Sequence, residues 1–261
     1  MRTIPDDARA VLKRGVVNFA GLSYTLPDGQ LERPLYESVN SVLADYGGKW
    51  SRSKKAHLFP DRSSLNRLND AITTGKSQNL QSARQSFFTP EPLVERMVKL
   101  ANVKPGMKVL EPSHGDGRIA MALYRAGCEV WAIEKDEDLH DNFSAKCCGD
   151  NLSVERMYLH HMDFLNFDRY CEEKFQAIVM NPPFTKGQDA KHILHAYSLL
   201  GQGGTLVAIA SAGVRFRRDK PYRDVAALVK DNGGDIEELP KDTFKESGTS
   251  VNTVLLVIPK L

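Results

Sequence analysis

The tetrapeptide Asn181-Pro182-Pro183-Phe184 follows directly on the apolar run Phe175-Gln176-Ala177-Ile178-Val179-Met180. Such a run is a buried parallel strand, and the two prolines end it and stiffen the loop at its carboxyl end, where open α/β sheets place their sites. In that loop the Asn181 side-chain oxygen and the Pro182 carbonyl can both accept hydrogen bonds from one NH2 group. Two such bonds draw a conjugated nitrogen lone pair out of its π system and toward an electrophilic methyl carbon, while Phe184 offers a flat face to a planar ring. The chemistry is methylation of an exocyclic amine, and it needs no nucleophilic side chain. Asn and Pro are also ordinary turn residues, so the tetrapeptide takes its meaning from its surroundings.

Three other strand ends supply those surroundings. Val109-Leu110-Glu111-Pro112-Ser113-His114-Gly115-Asp116-Gly117-Arg118 is a strand, a glycine-containing loop and a helix start. Gly115 and Gly117 let the backbone approach a ligand and turn into the helix, whose N-terminus favours a carboxylate. A dinucleotide site is the obvious competitor, but the third glycine of its fingerprint is missing and Glu111 would repel a pyrophosphate. Glu111 suits a cationic group instead. Glu134, about twenty residues on, closes a second strand where an acid accepts from ribose hydroxyls. Asp163-Phe164 follows a third strand and offers an acceptor for an adenine amino group and an apolar lid for its ring. Together these describe a ligand with an ammonium, a ribose and an adenine, next to a site for an amine.

With these residues the chain resembles the class I S-adenosylmethionine-dependent DNA adenine-N6 methyltransferases over roughly residues 84–258. Phe87-Phe88-Thr89-Pro90 looks like their motif X, which implies that Phe88, Thr89 and Pro90 close over the methionine part of the cofactor. Glu111 to Gly117 looks like motif I, with Ser113, Gly115 and Gly117 against the cofactor; the family commonly has a small residue where His114 stands. By the same resemblance Glu134 takes the motif II role on ribose, and Asp163 with Phe164 the motif III role on adenine. Asn181, Pro182, Pro183 and Phe184 match the catalytic motif IV, and Phe244 falls near motif VIII, where an aromatic stacks on the target base. Motif X ahead of motifs I and IV is the order of the family's γ class. Those enzymes usually carry a large recognition domain after the catalytic sheet, whereas this sequence stops at Leu261. Target reading is therefore expected from the N-terminal segment, the loop at 215–223 or a partner subunit, with a short or relaxed target.

The elements that must position these residues are legible as alternating strands and helices. Strands are expected at 107–111, 129–134, 157–161, 175–180, 205–210, 235–239 and 251–258, with helices at 117–126, 136–147, 189–200 and 222–231. No crossover helix separates the last two strands, so they are expected to pair antiparallel. The fold class is α/β: a seven-stranded, mostly parallel Rossmann-like sheet with a small N-terminal α+β unit. A helix at 90–101 is expected to start from Thr89 as N-cap with Pro90 in its first position. Domain boundaries are placed at 1–80 and 81–261, with 73–84 as a polar linker. In the first segment helices are expected at 35–46 and 63–74, and Leu26-Pro27-Asp28-Gly29 as a turn between short strands.

With 261 residues the chain has room for one large α/β domain and an appendage. It has no apolar run long enough to span a bilayer and no apolar signal core at its start, so a soluble, cytoplasmic protein is expected. Its four cysteines lack C-x-x-C spacing, and His192 and His195, though at helical spacing, lack further ligands, so neither disulfides nor a metal is expected. The net charge of +2 decides nothing, but its distribution does. Between residues 48 and 68, Lys49, Arg52, Lys54, Lys55, Arg62 and Arg67 face only Asp61; between 214 and 223, Arg215, Arg217, Arg218, Lys220 and Arg223 face only Asp219. Trp50, Phe216 and Tyr222 are embedded in these runs, and Lys186 follows motif IV. Solvated charged faces are the ordinary account of such runs; basic loops with stacking groups also fit a phosphate backbone and its bases. DNA is therefore the expected partner, with RNA adenine methylation, protein glutamine methylation and non-catalytic nucleic-acid binding as alternatives.

Overall fold

The computed structural model describes residues 2–77, 88–150, 152, 155–170, 174–244 and 252–261. The chain divides into two compact units, Met1–Arg84 and Gln85–Leu261. No helix among the described residues is long and apolar enough to cross a membrane.

The first unit contains β1 (Arg2–Thr3), α1 (Asp6–Arg14), β2 (Val16–Asn18), β3 (Ser23–Thr25), α2 (Arg33–Asp45), β4 (Lys49–Ser51), β5 (Ala56–Leu58), α3 (Arg62–Thr74) and β6 (Lys76–Ser77). An antiparallel sheet runs β2-β3-β5-β4, and β1 pairs separately with β6. Val11, Leu12, Val39, Leu43, Leu65 and Leu68 bring the three helices onto one core. α3 starts where Asp61 accepts from the Ser64 N–H at 2.7 Å and stops at Gly75, whose φ of 74° is open to glycine at little cost. Two expectations fail here. The Leu26–Gly29 turn leads into a helix, because the strand expected after it is replaced by α2. The linker expected at 73–84 begins with the end of α3 and then β6, where the Ser77 hydroxyl is fully buried and donates to Asp45 at 2.7 Å. Its residues 78–84 lie outside the described residues.

The second unit contains α4 (Glu91–Leu100), β7 (Lys108–Glu111), α5 (Arg118–Arg125), β8 (Glu129–Glu134), α6 (Glu137–Gly149), β9 (Met157–His161), β10 (Phe175–Met180), α7 (Gln188–Leu199), β11 (Leu200–Ser211), α8 (Lys220–Asp231), β12 (Asp235–Glu238) and β13 (Thr253–Pro259). The seven strands lie in the order β12-β13-β11-β10-β7-β8-β9. β9, β8, β7, β10 and β11 are parallel; β13 pairs antiparallel with both β11 and β12. Alternate side chains of the central strands enter two cores. Val109, Ala177, Val179, Val207 and Ile209 meet α4 and α5 on one face, and Leu110, Ile178, Met180, Leu206 and Ala208 meet α7 and α8 on the other. Burial of both faces is why these strands appear in the sequence as continuous apolar runs.

The chain winds outward from β7 to β9 and returns to β10 on the opposite side of β7. The carboxyl ends of β7 and β10 therefore flank the point where the strand order reverses, where a crevice opens in a doubly wound sheet. Ile178 pairs with Leu110 across these two strands, so Glu111 lies level with Val179, and Asn181 follows two residues farther along the neighbouring strand.

Candidate active site at the sheet reversal

Gly115 and Gly117 have φ of 57° and 79°, and a Cβ on Gly117 would lie 2.1 Å from the Phe143 ring, so that position is closed to every other residue. The loop they form turns β7 into α5 around Glu111. This carboxyl is 1% exposed, and its Oε2 has no hydrogen-bond partner among the described residues. Burial, then the neighbouring Asp116 and Glu134, hold it well above the ordinary carboxylate range, against one backbone N–H from Ala120. A buried acceptor without a donor is costly unless something supplies one, and a ligand ammonium would.

Glu134 is bound into the same loop. Its Oε2 accepts from the Gly115 N–H at 3.0 Å, and its Oε1 from the N–H groups of Lys135 and Asp136 at 2.9 Å. A carboxylate offers about four acceptor positions, so one remains on Oε2. Burial raises its pKa and the three N–H donors partly offset that rise. At the end of β9, Asp163 accepts from the Leu165 N–H at 3.0 Å and from Lys135 Nζ at 3.4 Å. Burial pulls its carboxyl up, but those two partners outweigh it and leave it below the usual range. These groups fit the polar parts of S-adenosylmethionine: a buried acid for the ammonium, a strand-end acid for ribose, and an accessible carboxylate farther along the edge.

The segment ahead of α4 joins the two halves of the crevice. Thr89 was expected to cap α4, but Pro90 occupies that position and its carbonyl accepts from Leu93 and Val94 at 2.9 and 3.0 Å. Thr89 is 2% exposed and serves the site instead. Its hydroxyl accepts from Asn181 Nδ2 at 3.1 Å, and its carbonyl from Arg118 Nη1 at 2.7 Å. Arg118 in turn binds Asp116 through Nε at 2.9 and 3.0 Å and lies 5.5 Å from the Phe88 ring centre, while Phe88 covers Gly115. Asp116 and Arg118 thus fix the loop, a role that spacing alone did not disclose. With Nδ2 bonded to Thr89, Oδ1 is the acceptor atom of the Asn181 amide, and it is buried. Pro182 is buried, Pro183 and Phe184 are half-buried, and Phe184 packs against the core on the α4 side. Lys186 is exposed with φ of 55°, left-handed backbone that a lysine adopts only when its surroundings demand it.

Several expected aromatic roles are corrected by burial. Phe164 is 2% exposed and packs edge-on against His195 with ring centres 4.7 Å apart, so it is a core residue rather than an open lid. Phe244 is likewise 2% exposed within the core on the α4 side, not a platform awaiting a base. Tyr222 is 1% exposed, its hydroxyl donating to Asp189 at 2.7 Å. His114 turns inward against Phe143, its Nδ1–H directed to the Gly115 carbonyl at 3.1 Å, and burial lowers its pKa to about 4. Ser113 stays half-buried in the loop.

The two basic runs differ. Lys49, Arg52, Lys54 and Lys55 are exposed around the β4–β5 hairpin beside Trp50, which is 49% exposed. In the run at 215–223, Arg215 pairs with Glu238, Arg217 with Asp219 at 2.9 Å and Lys220 with Asp224 at 2.6 Å. Arg218 and Arg223 are exposed and have no acidic partner among the described residues.

The methyltransferase small domain family model matches residues 92–233, more than half of the sequence, and takes in motifs I to IV. The chain belongs to that family. Its fold is that of the S-adenosylmethionine-dependent methyltransferases, the superfamily that includes the adenine-N6 enzymes. The type I restriction enzyme MpnII methylase subunit of Mycoplasma pneumoniae is 24% identical over 251 residues, 77% of this chain and 45% of that one. The tRNA1(Val) (adenine(37)-N6)-methyltransferase of Actinobacillus succinogenes is 26% identical over 147 residues, 53% of this chain and 50% of that one. Among solved structures, the type I restriction-modification methyltransferase subunit of Streptococcus thermophilus superposes with a TM-score of 0.58 at 20% identity, covering 74% of this chain and 49% of that one. That likeness shows the fold. The chain thus spans half or less of the length of each of these proteins.

Proposed function

We propose that the protein transfers a methyl group from S-adenosylmethionine to N6 of an adenine flipped out of DNA. The observation that carries this reading is the Asn181–Thr89 hydrogen bond, 3.1 Å long, at the sheet reversal, on the strand next to the one that ends at Glu111. It orients an amide acceptor at the end of the strand adjoining the one that carries the buried acid, so an amine and a cationic methyl donor can meet in one crevice. When bound, S-adenosylmethionine supplies an electrophilic methyl group on a sulfonium.

The chain's own residues supply position. Glu111 would hold the ammonium, Glu134 the ribose hydroxyls and Asp163 the adenine amino group, while Phe88, Thr89 and Pro90 close the methionine end. Asn181 Oδ1 and the Pro182 carbonyl accept from the two N–H bonds of the target N6 and face the positive charge that develops there, so they stabilise the transition state more than the neutral amine. Phe184 stacks on the extruded base and offsets part of the few kcal/mol that unstacking costs. The surplus proton leaves to water after transfer. The hairpin cluster and the exposed arginines of residues 215–223 contact phosphates, each on its own unit.

DNA is favoured by these basic loops and by similarity to a restriction-system methylase subunit over most of this chain. RNA is the second reading, favoured by the similarity to a tRNA adenine methyltransferase. Incubation with methyl-labelled cofactor and, in parallel, DNA, RNA and protein tests both: label is expected in DNA. Label in RNA alone would replace the DNA reading with the RNA one. Label in protein alone would remove both.

A further inference from the structure

Extruding a base from a duplex leaves a gap in the stack and strands the facing base, and an apolar side chain inserted there lowers the cost. The motif IV loop has no group for this, since Pro182 is buried and Phe184 rests on the core. The loop after β11 has one. Phe216 is 71% exposed, more than any other aromatic side chain among the described residues. It stands between Arg215 and Arg217, with Arg218 beyond, so cations flank it on both sides in the sequence.

This loop is fastened to the motif IV loop. The N–H groups of Phe216 and Arg217 both donate to the Gly213 carbonyl, at 3.1 and 2.8 Å, which makes a tight turn with the ring at its tip. The Arg217 guanidinium lies 4.2 Å over the Tyr222 ring. Tyr222 is buried, and its hydroxyl meets Asp189 Oδ1 at 2.7 Å and Ser211 Oγ at 3.1 Å. Asp189 is fully buried; its other oxygen accepts from the Ser211 N–H at 2.9 Å. Gly187, three residues after Phe184, lies against the same tyrosine ring: a Cβ there would be 3.4 Å from it. The exposed ring and the catalytic loop are thereby held on one buried polar cluster, and β11, which leads to the loop, pairs with β10, which leads to Asn181.

We propose that Phe216 inserts into the base stack of duplex DNA in place of the extruded adenine, and that Asp189 and Tyr222 are positioning residues that hold it in register with motif IV. This rests on the adenine-flipping reading above. A duplex needs the wedge and a strand already unstacked does not, so the readout is the ratio of kcat/KM for methylation of native over heat-denatured genomic DNA. Phe216→Ala should lower that ratio about tenfold, the scale of one base–aromatic stack, and Phe216→Trp should restore it. Tyr222→Phe, which keeps the ring but removes the hydroxyl held by Asp189, should lower the ratio by a smaller factor. Thermal melts of each variant check that it is folded. An unchanged ratio in Phe216→Ala would overturn the proposal, as would a wild-type protein that methylates only denatured DNA. A wild-type protein that methylates neither form of DNA, while retaining cofactor binding, would instead defeat the DNA reading on which the wedge rests.

Discussion

At the ends of β7, β8 and β9 the site presents carboxylates, Glu111, Glu134 and Asp163, whereas at the end of β10 it presents an amide and an aromatic ring, Asn181 and Phe184. The first half attracts a cation and carries the cost of holding ionisable groups out of water, most of all at Glu111. The second half orients uncharged acceptors, whose action does not depend on protonation. One half should therefore set cofactor affinity and its pH dependence, and the other the rate of the chemical step.

The largest effect expected from this division is at Asn181. Asn181→Ala should lower single-turnover methyl transfer about a hundredfold or more, the scale of one preorganised transition-state contact, while equilibrium binding of S-adenosylmethionine changes little. A comparable loss in binding would show that the two halves are not separable. Next comes Glu111→Gln, which removes a charge-assisted contact and should weaken cofactor binding about ten- to a hundredfold. Isothermal titration calorimetry reads this directly. Affinity of the wild type should also fall as pH is lowered through the raised titration range of Glu111, because protonation removes the charge that the ammonium seeks.

The same residue makes a stability prediction of opposite sense. A carboxyl whose folded pKa lies above its unfolded value adds stability at low pH that is lost as pH rises through the folded pKa. Without cofactor, Glu111→Gln should match the wild type in Tm below about pH 4, the ordinary carboxyl range, and become the more stable protein as pH increases. A gap that closes with rising pH would mean that Glu111 is stabilised in its charged form by groups other than the cofactor.

Much of the second unit was legible in the sequence because parallel strands buried on both faces leave continuous apolar runs. β8, β9 and β10 fall on the expected residues, and the antiparallel pairing of the last two strands follows. The N-terminal unit was less so. Its strands are two or three residues long, too short for any alternation to register, and α1 begins after Pro5 with two aspartates and no capping side chain. Aromatic residues misled for a different reason: Phe164, Tyr222 and Phe244 were assigned stacking surfaces, but residue type does not say which way a ring faces, and all three are buried. Thr89 shows the same limit in a polar residue, since Thr-Pro before a helix is capping chemistry by spacing and a rivet between motifs by geometry.

The smallest expected effects separate the two basic runs, which look alike in sequence. Replacing Arg52, Lys54 and Lys55 with Ala should flatten the salt dependence of DNA binding by nearly three ions' worth, at about 0.9 per phosphate contact. Replacing Arg215, Arg217 and Arg218 should flatten it by about one, because Glu238 and Asp219 already neutralise two of the three. Equal changes would show that those acids yield to phosphate.

The most direct test of the central claim is to incubate the protein with S-adenosylmethionine and random-sequence duplex DNA and to map modified bases at single-base resolution. The account predicts N6-methyladenine at a short or relaxed sequence and its loss in Asn181→Ala. Methyl groups on cytosine or on another adenine atom, or transfer that persists undiminished without Asn181, would contradict it.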